Sequence, residues 1–193
     1  KYNPALSRLK DTVNICRMIF RGEKVQYEGK AITLPLPNSE GKAIKVAHDP
    51  TDLPIYLATL GPKSLEYTGE AANGWLGTSF SPDHPEAHLS FIESGAQKNG
   101  RTLSDIDLCV SARVEIGDDL EAMIDKRRPA VAFNMGGMGS ADTNFYNDAF
   151  KRAGYSEEAR AIQALWLAGK REEAARRVPC LLYTSDAADE HSW

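Results

Sequence analysis

The run Pro54-Ile55-Tyr56-Leu57-Ala58, followed almost at once by Gly61-Pro62, constrains this chain more than any other feature. Such a short, nearly all-apolar run suits a strand buried on both faces, as in a parallel sheet. Gly61-Pro62 then turns the chain, and residues 63–72 read as a helix with Leu65 and Thr68-Gly69 facing inward. The pattern repeats. Trp75-Leu76-Gly77-Thr78 reads as a second buried strand. Residues 85–99 read as a helix that offers Ala87, Leu89, Ile92 and Ala96 for packing and is closed by Gly100. Residues 106–116 form a third strand, in which Leu108, Val110, Ala112, Val114 and Ile116 alternate with polar or small partners. Asp118-Asp119 caps the next helix, through Ile124. A βα series of this kind implies the α/β class, as a barrel or a doubly wound sheet. A closed barrel takes eight units and ~250 residues. Three strands therefore make about half a barrel or a small open sheet.

The flanks are simpler. Residues 4–20 place Leu6, Leu9, Val13, Cys16 and Phe20 on one helical stripe, and Gly22 is a suitable stop. Residues 24–34 read as a hairpin turning at Glu28-Gly29. Residues 35–53, with Pro35, Pro37, Gly41 and Pro50, read as an irregular surface loop. After the βα series no further strand is signalled. The glycine-rich break at Gly136-Gly137-Met138-Gly139 follows no strand and lacks the phosphate-loop lysine, so it reads as a flexible loop near a site mouth. Residues 145–153 and 156–168 are helical, the second with Ala159, Ile162, Leu165 and Trp166 on one face. Residues 172–177 continue in that manner until Val178-Pro179 stops them.

Residues 180–193 break with what precedes them. The string from Cys180 to Glu190 resembles the in-frame translation of a transposase sequencing adaptor. The native domain is accordingly read as residues 1–179, with an ordinary acidic tail as the other reading. The start at Lys1, without Met, is read as truncation. Of the net charge of −4, most is tail: without Asp186, Asp189 and Glu190, 23 basic residues face 24 acidic ones. No concentrated basic face marks a nucleic-acid partner. The basic runs at Lys126-Arg127-Arg128 and 170–177 read as solvated helix faces. Cys16, Cys109 and Cys180 stand far apart, which argues against a disulfide framework and for a reducing compartment. No apolar run approaches the ~18–20 residues that span a membrane.

The best candidate site is the strand-to-helix turn Thr59-Leu60-Gly61-Pro62-Lys63-Ser64. Free N–H groups and the helix dipole favour an anion there, typically a cofactor phosphate. Gly61 permits close approach, Pro62 costs no useful donor, and Lys63 or Ser64 can add a charge or a hydroxyl. A plain tight turn is the competing reading. Thr78 and Ser79 end the next strand, where they either face an active site or cap a turn. His84 and His88, spaced i, i+4 without an acid partner pattern, read as a solvated helix start rather than metal ligands. No residue set announces its own acid, base or nucleophile, which fits chemistry carried by a bound cofactor.

The block from Pro54 to Lys63, followed by Gly69-Glu70-Ala71-Ala72-Asn73-Gly74-Trp75, resembles the central block of the bacterial luciferase-like monooxygenase superfamily. A second block, Met135 to Gly139 with Asn144-Phe145-Tyr146-Asn147, Gly154-Tyr155 and Ala174-Ala175 up to Val178-Pro179, is similar to its coenzyme F420-dependent branch, which includes methylenetetrahydromethanopterin reductases. The resemblance runs from about Tyr2 to Pro179. It implies a partial TIM (β/α)8 barrel that lacks the N-terminal strands and the last strand. It also implies a cofactor phosphate held at Leu60, Gly61, Lys63 and Ser64, with Thr78 facing the cofactor and substrate pocket. The cofactor would be F420, or alternatively FMN, and the reaction hydride transfer with an unknown small organic substrate, or monooxygenation of paired donors. The parent enzyme would be a cytoplasmic homodimer. In the glucose-6-phosphate dehydrogenase branch a lysine lies three residues beyond the threonine and grips the sugar phosphate; here that position is Ser81. The family's ring-cradling and proton-handling residues lie mainly upstream, so no catalytic residue is assigned. The competing class is a non-catalytic α/β domain whose Gly61 turn grips some other phosphate. Alone, the chain is expected to be inactive, with strand edges and core side chains open to aggregation.

Overall fold

The computed structural model of the protein describes residues 5–111 and 114–182. Helix α1 (Ala5–Phe20) lays Leu6, Leu9 and Val13 against Leu57, Tyr67 and Ala72. Further along the stripe the structure departs from the periodicity: Ile15 is buried, while Cys16 and Phe20 are only half-buried. Gly22 ends the segment at φ +68°, where a side chain would be strained. The hairpin β1 (Tyr27–Glu28) and β2 (Thr33–Leu34) follows. Glu28 pairs with Thr33, so the turn proper begins one residue later than expected, at Gly29, whose N–H donates to the Ile32 carbonyl at 2.9 Å.

Asp11 fastens this hairpin to α1. Its buried carboxylate accepts from the Tyr27 hydroxyl at 2.9 Å and from the N–H groups of Ala31 and Ile32 at 2.6 and 2.9 Å. Burial alone would raise its pKa, but these donors together hold it below the ordinary carboxylate value.

The βα series then appears as read. Strand β3 (Tyr56–Leu57), helix α2 (Pro62–Ala71), strand β4 (Gly74–Gly77), helix α3 (Glu86–Gln97) and strand β5 (Asp107–Val110) succeed one another. The strands form one sheet in the order β3-β4-β5, both pairings parallel, with Leu57 opposite Trp75 and Trp75 opposite Leu108. Helices α2 and α3 meet backbone to backbone. A Cβ on Gly69 would stand 1.8 Å from the Ile92 carbonyl oxygen, and one on Gly95 1.8 Å from that of Glu66. That approach seals Leu65, Trp75, Ile92, Ala96 and Ile106 into one core cluster.

Burial of the strands on both faces is not observed. Leu57 and Trp75 are buried under α1, α2 and α3, but Tyr56, Ala58 and Leu76 on the opposite face are exposed. No layer covers that second face among the described residues. The third strand also stops at Val110 instead of 116. Val114 and Ile116 are 82% and 96% exposed outside any strand, and Ala112 lies outside the described residues.

The remainder is helical. Asp119 caps α4 (Leu120–Gly136), its carboxylate accepting from the Ala122 N–H at 3.0 Å, and the helix runs well past Ile124. Helices α5 (Phe145–Arg152), α6 (Ser156–Leu167) and α7 (Arg171–Arg176) pack with it around Ala132, Met135, Phe150, Ala159, Ile162, Ala174 and Val178. Gly136 and Gly137 owe their place to packing rather than to a site-mouth loop: Cβ atoms there would fall 2.6 and 2.7 Å from the Trp166 side chain. Arg127 and Arg128 are not simply solvated either. Arg127 pairs with Glu115 at 2.5 Å, and Arg128 donates to the Val178 carbonyl at 2.6 Å, bracing α4 against the chain after α7. Of the expected tail, Cys180 and Leu182 are described and residues 183–193 lie outside the described residues.

Candidate functional site

After β3 the chain passes through Ala58-Thr59-Leu60 to Gly61, the N-cap of α2, with Pro62 opening the helix where its missing N–H is no loss. The carbonyls of Thr59, Leu60 and Gly61 are all taken by the protein itself. The Trp75 indole N–H donates to the Thr59 oxygen at 3.0 Å and Arg152 Nη2 to that of Leu60 at 2.8 Å. The Gly61 oxygen accepts from the Ser64 hydroxyl at 2.8 Å and from the N–H groups of Ser64 and Leu65 at 3.0 and 2.9 Å. Thr68 spends its proton on the Ser64 carbonyl at 3.0 Å, so the 2.6 Å contact between the two threonine hydroxyls is a bond from Thr59 to Thr68.

The donors are treated oppositely. No side chain caps α2, and among the described residues nothing accepts from the N–H groups of Gly61 or Lys63. Gly61 itself sits at φ −78°, which any residue adopts, and a Cβ there would meet its nearest neighbours, Ser64 Oγ and the Phe145 ring, at 3.6 and 3.7 Å. Neither backbone nor neighbours demand a glycine. Its missing side chain leaves open the approach to the two bare amides. Lys63 is exposed beside them. Ser64, expected to offer a hydroxyl, instead uses its proton to stiffen the turn.

Leu60 and Thr78 each stand three residues beyond the paired Leu57 and Trp75, so they end adjacent strands at one level. Thr78 is exposed, two residues beyond the exposed Leu76 on the open face of the sheet. Ser79 follows at φ +54°, a left-handed conformation rare outside glycine. This bend brings Phe80 edge-on to Trp75, with ring centroids 5.9 Å apart.

Two residues of this region escaped the sequence reading. His88 is not a solvated helix-start residue: it is fully buried, its ring 5.5 Å from Trp75 and 6.0 Å from Phe80, with neither ring nitrogen hydrogen-bonded. Burial, and secondarily the Arg152 charge, pushes its pKa from 6.5 to about 4, so it is neutral at physiological pH. A signal was available, since His88, Ile92 and Ala96 share one helical stripe. His84 is half-buried, its Nδ1 3.4 Å from Glu86. Arg152, at the end of α5, reaches the turn from a distance of 92 residues in sequence and carries no local signal.

Among the described residues, clefts of about 290 to 650 Å³ lie elsewhere, one of about 650 Å³ between α4, α6 and α7 being lined by Arg128, Trp166, Arg171 and Arg176.

A parallel βα sheet with open amides at the carboxyl end of a strand places this chain in the α/β class, with a helix N-terminus left uncapped at that strand end. The sequence model of the luciferase-like monooxygenase family matches residues 2–187, and the chain belongs to that family. It is similar to a Mycobacterium tuberculosis (strain ATCC 25618 / H37Rv) protein named as a candidate coenzyme F420-dependent oxidoreductase, at 31% identity over 188 residues, covering 93% of this chain and 54% of that protein. It is 29% identical over 134 residues to the 5,10-methylenetetrahydromethanopterin reductase of Methanopyrus kandleri, covering 69% of this chain and 37% of that one. The solved structure of the coenzyme F420-dependent tetrahydromethanopterin reductase from the same organism matches with a TM-score of 0.68 at 26% identity, over 94% of this chain and 52% of that chain. This chain thus spans about half the length of that structure and of the Mycobacterium tuberculosis relative.

Proposed function

We propose that this chain is part of an F420-dependent oxidoreductase, with the corner from Leu60 to Ser64 holding the cofactor phosphate. The observation that carries the reading is the asymmetry of that corner: three carbonyls bound internally, two amides open, and no side-chain cap hydrogen-bonded to them. A phosphate fits such a cradle, because it accepts from both amides and meets the exposed Lys63. Thr78, one strand over, faces the side from which the rest of the cofactor and a small organic substrate would approach. When bound, the deazaflavin ring supplies hydride-transfer chemistry. The residues of this chain bind and orient it, and among them we assign no acid or base.

The open face bearing Tyr56, Ala58 and Leu76 supports a further element of the proposal. These side chains would be the inner wall of a TIM barrel whose remaining strands are supplied by chain outside this sequence. A homodimeric, cytoplasmic parent and a non-native tail after Pro179 belong to the same reading. F420 is preferred over FMN by likeness to F420-dependent relatives, since a phosphate turn serves both cofactors. Ser81, where a sugar-phosphate enzyme of the family would place lysine, disfavours a sugar-phosphate substrate. The test is titration of the full-length parent with F420 and with FMN, followed by fluorescence. Saturable binding with F420 the tighter is expected; binding of neither would overturn the oxidoreductase reading.

A further inference from the structure

Arg152 is the feature near this corner that the proposed function does not use. It is the last residue of α5, where an arginine ordinarily points to solvent. Here it turns inward. Nη2 donates to the Leu60 carbonyl at 2.8 Å, Nε to the Ala87 carbonyl at 3.3 Å, and the guanidinium lies 5.9 Å from the centroid of the Phe91 ring. The side chain is half-buried, yet among the described residues no carboxylate lies within ion-pair distance of it. Asp148, one turn earlier, is engaged 3.2 Å from Lys151. A partly desolvated cation offset only by the longer-range field of Asp148 is costly, and the fold sets it on the carbonyl of the very peptide that carries the open Gly61 N–H.

We infer that Arg152 is a positioning residue that aims the Gly61 N–H at the cofactor phosphate without touching the phosphate itself. The Leu60–Gly61 peptide is planar and trans, so its C=O and N–H point in opposite directions. A cation fixed on the Leu60 oxygen therefore sets the direction of the Gly61 N–H on the far side. A charged donor on the oxygen also polarises the peptide and makes that N–H a stronger donor. The planar fork of the guanidinium spans two carbonyls, Leu60 on the corner and Ala87 on α3, so the corner is referenced to a packed helix rather than left to its own loop. Lysine keeps the charge but not the fork.

This inference rests on the phosphate-turn reading, and its test separates the two. The full-length parent and its Arg152→Met and Arg152→Lys variants are titrated with F420 and with the corresponding deazaflavin lacking the phosphate, following cofactor fluorescence and the Gly61 and Lys63 amide resonances. Arg152→Met is expected to bind F420 about tenfold more weakly, with unchanged affinity for the phosphate-free deazaflavin and a Gly61 amide that no longer responds. Arg152→Lys is expected to show a smaller loss with the same selectivity, and it carries the comparison if the methionine variant does not fold. Equal weakening toward both ligands, or none, would overturn the role of Arg152 while leaving the phosphate turn intact. A wild-type parent that does not favour the phosphate-bearing ligand, or whose Gly61 and Lys63 amides ignore it, would overturn the phosphate turn and this inference with it.

Discussion

His88 shows how much a single side chain can report about the surroundings of the site. Its ring is enclosed by Trp75 and Phe80, both nitrogens lack partners, and its pKa is depressed to about 4 by burial and by Arg152. A histidine whose native pKa lies below its unfolded value binds fewer protons in the folded state. Stability is therefore full above about pH 6.5 and is lost as the pH falls toward 4, by about 3 kcal/mol for a shift of this size. His88→Phe fills the same space without a titrating group. In urea denaturation at pH 7.5 and pH 5, the wild type is expected to lose more stability than the variant. At pH 7.5 the variant should equal or exceed the wild type, because two unsatisfied nitrogens are removed. Parallel losses in the two proteins would show that His88 is not the group responsible.

Helices α2 and α3 make the clearest statement at the level of elements. Gly95 has no room for a methyl group, because the Glu66 carbonyl stands where Cβ would go. Gly95→Ala is expected to lower stability by about 2 kcal/mol or more, through separation of the two helices. Gly100 is the contrasting case: nothing lies within 4 Å of its Cβ position, but its φ is +65°. Gly100→Ala should cost about 1 kcal/mol from strain alone, and Gly100→Asn less, since asparagine tolerates that conformation. Thermal melts of the three variants rank the two causes, and a Gly95→Ala protein as stable as the wild type would contradict the close crossing.

The same elements show what can be read from sequence. Strand, turn and helix were legible because each depends on neighbours a few residues away: the apolar runs at Tyr56 and Trp75, the Gly61-Pro62 turn, the stops at Gly22 and Gly100. The reach of Arg152 to Leu60 was not, because an ion that ends a helix looks the same whether it turns inward or outward. The burial of His88 lay between these cases, visible in its stripe with Ile92 and Ala96 but masked by the spacing to His84. The strand runs also mislead in one respect. Their apolar character predicts burial on both faces, and among the described residues only one face is covered.

For the molecule as a whole, that uncovered face is the dominant property. Tyr56 and Leu76 are 36% and 44% exposed on one side of the sheet, and on the other side the edge strand leaves Leu108 and Val110 at 37% and 46%. Apolar sheet surface of this kind drives association. The isolated chain is expected to self-associate with rising concentration in sedimentation velocity, and Leu76→Lys to shift it toward monomer. An unchanged profile would show that the open face is not the adhesive one.

The corner at the end of β3 is tested by the effect of Gly61→Asp on cofactor affinity in the full-length parent. A carboxylate placed over the two amides both fills the cradle and repels a phosphate, so F420 binding should be lost, with the thermal melt of the protein little changed. Retention of wild-type affinity by a folded Gly61→Asp enzyme would place the phosphate elsewhere and contradict the account.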